Sequence, residues 1–248
     1  MIDAAVVAVP TSAHHLVAVQ LIRHGVHLLV EKPLAASIAE AEELSLLADK
    51  QGIVLMVGHI ERFNPAAQAI AAAVDPTSIV AITLTRAGPK REKIRDVGVI
   101  LDLCIHDIDL VRWLTQSEIV EHQVMVAGPD GGDEDLAFLQ LRTASDVVAS
   151  IRGDWLSSER ERTLVVKTRD RVIIGDLLLQ TVTEHRSGSG PSRLKTLVGD
   201  ALEAELTAFV MAVRGAAPNP IPAIEGLRSL TAALTCSGAA RMRDSSCR

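Results

Sequence analysis

The sequence predicts an α/β half followed by an α+β half: a partial parallel sheet with its first strands missing, then a domain built on an open antiparallel sheet. Three observations carry this. Residues 4–58 alternate three apolar runs with two helix-length segments, a rhythm that right-handed crossovers turn into a parallel sheet. Residues 119–185 change to short strands divided by turn residues. The first apolar run begins almost at Met1 and reads as a central strand, so further strands are expected to precede it.

The elements follow in order. AAVVAV (4–9) is continuously apolar and bounded by Pro10, as a strand buried on both faces would be. Thr11 or Ser12 can cap a helix running to about His24, with Gly25 just past its end. HLLV (27–30) is a second buried strand. Ser37 and Glu40 have the spacing of a capping box for a helix ending near Lys50, before Gly52. IVLMVGH (53–59) is the third strand. A short helix over 65–74 has Asn64 placed to cap it, IVAITLTRAG (79–88) alternates like a half-exposed strand, and 98–115 is helical. HQVMVAG, DLAFLQLRT, VVASIRGDW, RTLVVKT, RVIIGDLL and LQTVTEH then read as antiparallel strands, with DGGDED and TRDR among the turns. SGSGPSR (187–193) reads as a flexible loop, and helices over 200–215 and 223–243 precede a frayed DSSCR tail. The domain boundary falls at residue 60, giving 1–60 and 61–248.

Composition narrows the partners. The 248 residues are 48% hydrophobic and carry a net charge of −6, which argues against nucleic acid. No apolar window approaches the roughly 20 residues that span a bilayer, and the start lacks a secretory signal pattern. Cys104, Cys236 and Cys247 are odd in number and widely spaced, as expected of a reducing cytoplasm. With 2% aromatic residues and no tyrosine, the core must be built from Ala, Val, Leu and Ile.

Two groups of residues carry chemistry. Ligands of open parallel sheets bind beyond the carboxyl ends of the strands, and Pro10-Thr11, Glu31-Lys32-Pro33 and Gly58-His59 all fall there. Glu31 and Lys32 are either a solvated pair at a strand end or a pair held toward a crevice. In LDLCIHDIDLVRWL (101–114), helical spacing puts Asp102, His106 and Asp109 on one face of an otherwise apolar helix. A histidine between carboxylates suits general acid/base work; the same trio could bind a metal, or be hydrogen-bonded core polarity. Asp107 points elsewhere and is expected to be a bystander. His14 and His15, being adjacent, make a poor metal pair and suit surface or strand-end contacts. His59, Glu61 and Arg62 either line the crevice or form an ordinary loop. Cys104 reads as core, and Gly188-x-Gly190 follows no buried strand, so no phosphate cradle is expected there.

Taken together, Glu31-Lys32-Pro33, G-H-x-x-R-F-N-P at 58–65 and D-x-x-x-H-x-x-D at 102–109 resemble the Gfo/Idh/MocA oxidoreductases across essentially the whole chain. The words VGHIERFNPA and IRDVGVILDLCIHDIDLVRWL are most similar to the branch that oxidises the 3-hydroxyl of UDP-N-acetylglucosamine. The resemblance implies a Rossmann domain, NAD or NADP as cofactor, a sugar or sugar-nucleotide substrate and homo-oligomers formed through the open sheet. It implies Lys32, Asp102 and His106 as catalytic residues, with a cis Lys32–Pro33 bond and His106 as general base. Pro10, Thr11, Glu31 and Lys32 would touch the cofactor; Arg62, Asn64 and Asp109 would serve the substrate; no metal is implied. The sequence departs from the family in having no G-x-G-x-x-G loop. That departure motivates two expectations: an N-terminally shortened enzyme, or a non-catalytic remnant or assembly module without dinucleotide binding. A metal-dependent hydrolase using Asp102, His106 and Asp109 is the third reading.

Overall fold

Continuous apolar runs at 28–30 and 55–57 are buried on both faces, as a parallel sheet flanked by helices requires. The computed structural model describes residues 2–90, 97–129 and 133–246. Cys247, the Asp130–Gly132 part of the expected turn and Ile94-Arg95-Asp96 lie outside them. Strands β1 (Ala4–Val7), β2 (His27–Glu31) and β3 (Leu55–Gly58) pair in parallel in that order, with Val6 opposite Leu29 and Val30 opposite Val57. Helices α1 (Thr11–Arg23) and α2 (Ile38–Gln51) form the crossovers.

Local chemistry sets these boundaries. The capping box of α2 is complete: Ser37 Oγ accepts the Glu40 N–H, and the Glu40 carboxylate accepts the Ser37 N–H. Gly52 ends the helix at φ 63°, a conformation glycine takes without a Cβ penalty. Two expectations are corrected. Thr11 already lies inside α1, so Pro10 is the flanking residue and no side chain caps this helix. β1 is shorter than the apolar run and sits at the sheet edge with Val6 49% exposed, because a strand is buried on both faces only where neighbours cover both.

Contacts divide the chain into Met1–Ile60 with Asp200–Thr231, and Glu61–Gly199 with Ala232–Arg248. Residues 200–231, placed by sequence in the second domain, thus belong to the first unit. They supply helix α5 (Ala201–Val213) and the first turns of α6 (Ala223–Ser246); Thr181–Arg186 and the other strands below belong to the second unit. The Pro-rich link between α5 and α6 lies along β3: Val57 N–H donates to Ile221 O, the Asn219 amide donates to Leu55 O, and Pro222 bridges Met56.

The second unit is an eight-stranded sheet of β4 (Ile79–Ala87), β5 (Ile119–Ala127), β6 (Leu136–Thr143), β7 (Val148–Asp154), β8 (Glu161–Thr168), β9 (Arg171–Asp176), β10 (Thr181–Arg186) and β11 (Ser192–Leu194). Its order is β11-β10-β9-β8-β4-β7-β6-β5. The sheet is mixed rather than wholly antiparallel: β4 and β7 run parallel, because the helix and hairpin between them bring the chain back in the same direction. β11 corrects the loop expected at 187–193, since Ser192 and Arg193 pair with β10 as a hairpin edge. Period-two alternation buries Ile82, Leu84, Leu139, Leu141, Ile151, Leu164 and Ile173 and leaves Met125, Phe138 and Ile174 exposed. Helices α3 (Pro65–Ala73) and α4 (Ile105–Thr115) contribute Ile70, Ile105, Ile108 and Val111 to the core on the inner face. No helix among the described residues is long and apolar enough to cross a membrane.

One buried group in the first unit has no compensating bond. Glu205 on α5 is fully buried, and neither carboxyl oxygen has a hydrogen-bond partner among the described residues. Burial, reinforced by the nearby Glu31 charge, pushes its carboxyl up to about 8. A free glutamate titrates near about 4.3, so the folded chain holds an extra proton between these values and its stability falls as pH rises through the window. Glu205→Gln removes that dependence. The variant should exceed the parent by about 1–3 kcal/mol at pH ~8.5 and converge with it at pH ~4, as read by urea unfolding; parallel pH–stability curves would contradict this.

Candidate functional site

In the first unit the carboxyl ends of the parallel strands bring together the residues expected to face a dinucleotide. Pro10 is exposed and Thr11, Glu31 and Lys32 are half-buried. The Lys32–Pro33 peptide is cis, as the resemblance implied. Lys32 N–H donates to Glu31 Oε2 at 3.3 Å, so the glutamate folds back on its own strand end. Gly58 closes the next strand, and a Cβ there would lie 3.2 Å from Glu31 Oε2. His59 is buried. These groups, an exposed strand-end proline, a hydroxyl, a carboxylate and an ammonium, fit the nicotinamide end of a dinucleotide. No G-x-G-x-x-G loop exists in the chain, so no residue here is assigned to the pyrophosphate.

In the second unit the expected helix over 98–115 is interrupted. Ile100–Cys104 forms a π-helical turn, with Ile105 N–H reaching Ile100 O, before α4 begins. Glu134 caps this start: its backbone carbonyl accepts the Val99 N–H, and its side chain accepts the Ile100 N–H at 3.1 Å. Gly153 on β7 lets the turn lie against the sheet, since a Cβ there would sit 2.4 Å from Cys104 Sγ. The wider turn changes the register between Asp102 and His106 from the α-helical one, while His106 and Asp109 both lie in α4. Asp102 and His106 are half-buried, whereas Asp109 is buried.

Asp109 is held by Arg62, whose Nε and Nη2 each donate at 2.8 Å to one carboxylate oxygen. Both residues are buried, so the pair ties α4 to the short helix that carries Arg62. With both oxygens taken, Asp109 is also a poor third ligand for the metal reading; among the described residues no group of three or more His, Cys, Asp or Glu is placed to hold a metal ion. Asn64 is likewise buried: its Oδ1 accepts the Ala66 N–H to cap α3, and its amide donates to Leu177 O at 3.0 Å.

Asp107 is no bystander. Arg86 donates to its Oδ1 from Nε at 3.0 Å and from Nη2 at 2.7 Å, and to Glu61 Oε1 from Nη1 at 2.7 Å. Arg162 adds a contact to Glu61 at 3.1 Å. Arg86 is 2% and Asp107 1% exposed, so this is a charge lattice inside the core. Burial raises the Glu61 carboxyl, but the two guanidiniums reverse it and hold it below its usual range. For Asp107 burial wins over Arg86, leaving its carboxyl above the usual value; its Oδ2 has no hydrogen-bond partner among the described residues. Burial weakens Arg86 as an acceptor of its proton, yet the paired acids more than restore it, so it stays charged. The sequence did carry a signal for this. Arg86 occupies an inward position of an alternating strand, and Asp107 sits in an apolar helix; each needs an opposite charge.

Comparison with known proteins adds the lineage. Residues 1–59 match the oxidoreductase family with NAD-binding Rossmann fold (GFO_IDH_MocA), and residues 75–173 match the GFO/IDH/MocA C-terminal domain. The UDP-N-acetylglucosamine 3-dehydrogenase of Acidithiobacillus ferrooxidans is 30% identical over 244 residues, 94% of this chain and 77% of that protein. Its solved structure superposes with a TM-score of 0.90, covering 96% of this chain and 78% of that one. The scyllo-inositol 2-dehydrogenase (NAD(+)) of Bacillus subtilis is 30% identical over 199 residues, 73% of this chain and 58% of that protein.

The lattice makes a direct prediction. Arg86→Met keeps the aliphatic stem but leaves Glu61 and Asp107 buried without their main counter-ion. Stability should fall by about 3–5 kcal/mol at neutral pH, and the deficit should narrow below pH ~4 as the carboxyls take up protons. Urea unfolding at both pH values reads this, and an unchanged midpoint would sink it.

Proposed function

Because the chain belongs to the GFO/IDH/MocA oxidoreductase family, we propose that it oxidises the 3-hydroxyl of a UDP-N-acetylhexosamine by hydride transfer to NAD or NADP. The observation that supports this best is local. His106 is partly buried while its sequence neighbours Ile105 and Asp107 are fully buried, so the core anchors the helix and keeps part of the imidazole accessible, with its Nδ1 turned inward. The substrate class comes from the dehydrogenase of Acidithiobacillus ferrooxidans that the chain resembles over 94% of its length.

In this reading the oxidised nicotinamide supplies the hydride acceptor. His106 takes the proton of the sugar hydroxyl as the carbon–oxygen bond becomes a carbonyl and the carbon-bound hydrogen leaves with its electron pair. The products are a 3-keto sugar nucleotide, the reduced dinucleotide and a proton passed from His106 to solvent. Asp102, one turn earlier, orients the hydroxyl or the imidazole. Pro10, Thr11, Glu31 and Lys32 would hold the dinucleotide, as the family resemblance implies.

The test is substrate-dependent absorbance of reduced cofactor with UDP-N-acetylglucosamine and NAD or NADP. His106→Ala should lower kcat by about 10²–10⁴-fold, the span of general-base catalysis, and Lys32→Ala should also abolish most turnover. A His106→Ala variant as fast as the parent would overturn the base assignment. A parent inert with every sugar nucleotide would overturn the substrate assignment.

A further inference from the structure

We propose that His14 is a positioning residue that ties together the two strand-end segments carrying the cofactor-facing side chains, holding the nicotinamide end of the site in register. The inference rests on the cofactor reading above. His14 lies in the first turns of α1, is 1% exposed, and its ring lies between two carbonyls: Nδ1 is 2.9 Å from Pro33 O and Nε2 is 2.9 Å from Val9 O. Those carbonyls mark the two places that matter. Val9 immediately precedes Pro10 and Thr11, and Pro33 immediately follows Glu31 and Lys32. A single imidazole therefore links the segment after β1 to the segment after β2.

The chemistry suits this side chain. A carbonyl oxygen only accepts, so the ring nitrogen that carries hydrogen donates to one carbonyl, and the flat ring fills the space to the other. A glutamine in the same place keeps a donor for one carbonyl but has no ring to reach the second. The neighbouring His15 shows the contrast: it is partly exposed and bonds Glu43 at 2.9 Å, a surface pair within the helical layer. Satisfying a buried carbonyl is also a structural service, so the test must separate position from stability.

The experiment titrates NADH into the full chain and into His14→Gln and His14→Ala, with melting temperatures and with UDP-N-acetylglucosamine kinetics across cofactor concentration. His14→Ala should weaken NADH binding roughly tenfold or more, and His14→Gln roughly threefold. Cofactor KM should rise in step while kcat at saturating cofactor stays within about threefold. A folded His14→Ala chain that binds NADH like the parent overturns the inference, as does a fall in kcat at unchanged cofactor KM. If His14→Ala does not fold, His14→Gln decides: parental affinity overturns the inference. A parent that binds no NADH at millimolar concentration overturns the cofactor reading, and this inference falls with it; a parent that binds alongside variants of equal affinity overturns this inference alone.

Discussion

The guanidinium of Arg86, buried between Glu61 and Asp107, is the constraint on which the second unit turns. Apolar attraction is non-directional, whereas a buried charge is costly unless it is paired and hydrogen-bonded. Once Arg86 is on the inner face of β4, Asp107 must point down from α4 to meet it. Arg62 imposes the same demand on Asp109. Two aspartates so pinned fix the rotation of the helix about its axis, and that rotation decides which side chains stay accessible. His106 is one of them. Such a lattice is weak evidence of net stability, because desolvation offsets much of the attraction, but removing one partner leaves a buried charge uncompensated.

In the first unit no comparable ion lattice is needed, because strand direction does the same work. Parallel pairing of β1, β2 and β3 puts their carboxyl ends on one edge, and the residues following each strand emerge there together. The triplet Glu31-Lys32-Pro33 ends a strand whose middle residues are wholly buried, so its charges are kept at the rim. Glu205 is the exception, a carboxyl left in the interior within reach of the Glu31 field. Its proton is the least expensive way to keep it there at neutral pH.

Much of this was legible in the sequence, for identifiable reasons. Uninterrupted Val/Leu runs marked β2 and β3, and the Ser37/Glu40 spacing marked the start of α2, since both are local signals. Asn64 was readable as the cap of α3 because the side chain and its backbone partner lie two residues apart. What was missed depends on distant partners. The pairing of Arg86 with Asp107 spans 21 residues and that of Arg62 with Asp109 spans 47, so helical spacing alone misread Asp107 as idle and Asp109 as available. The π turn escaped for a different reason: it is set by Glu134 at its start and by Gly153 beneath Cys104, and neither belongs to the helix. The parallel pairing of β4 with β7 likewise depends on what lies between them rather than on either strand.

The chemistry proposed for His106 is removal of a proton from a hydroxyl while hydride leaves the adjoining carbon. The most direct measurement is label transfer: UDP-N-acetylglucosamine deuterated at C3 is turned over with NAD or NADP, and the reduced cofactor is examined by mass spectrometry. The account predicts one deuterium in the reduced cofactor and a ketone at C3. Reduced cofactor without the label, or deuterium released to water, would contradict it.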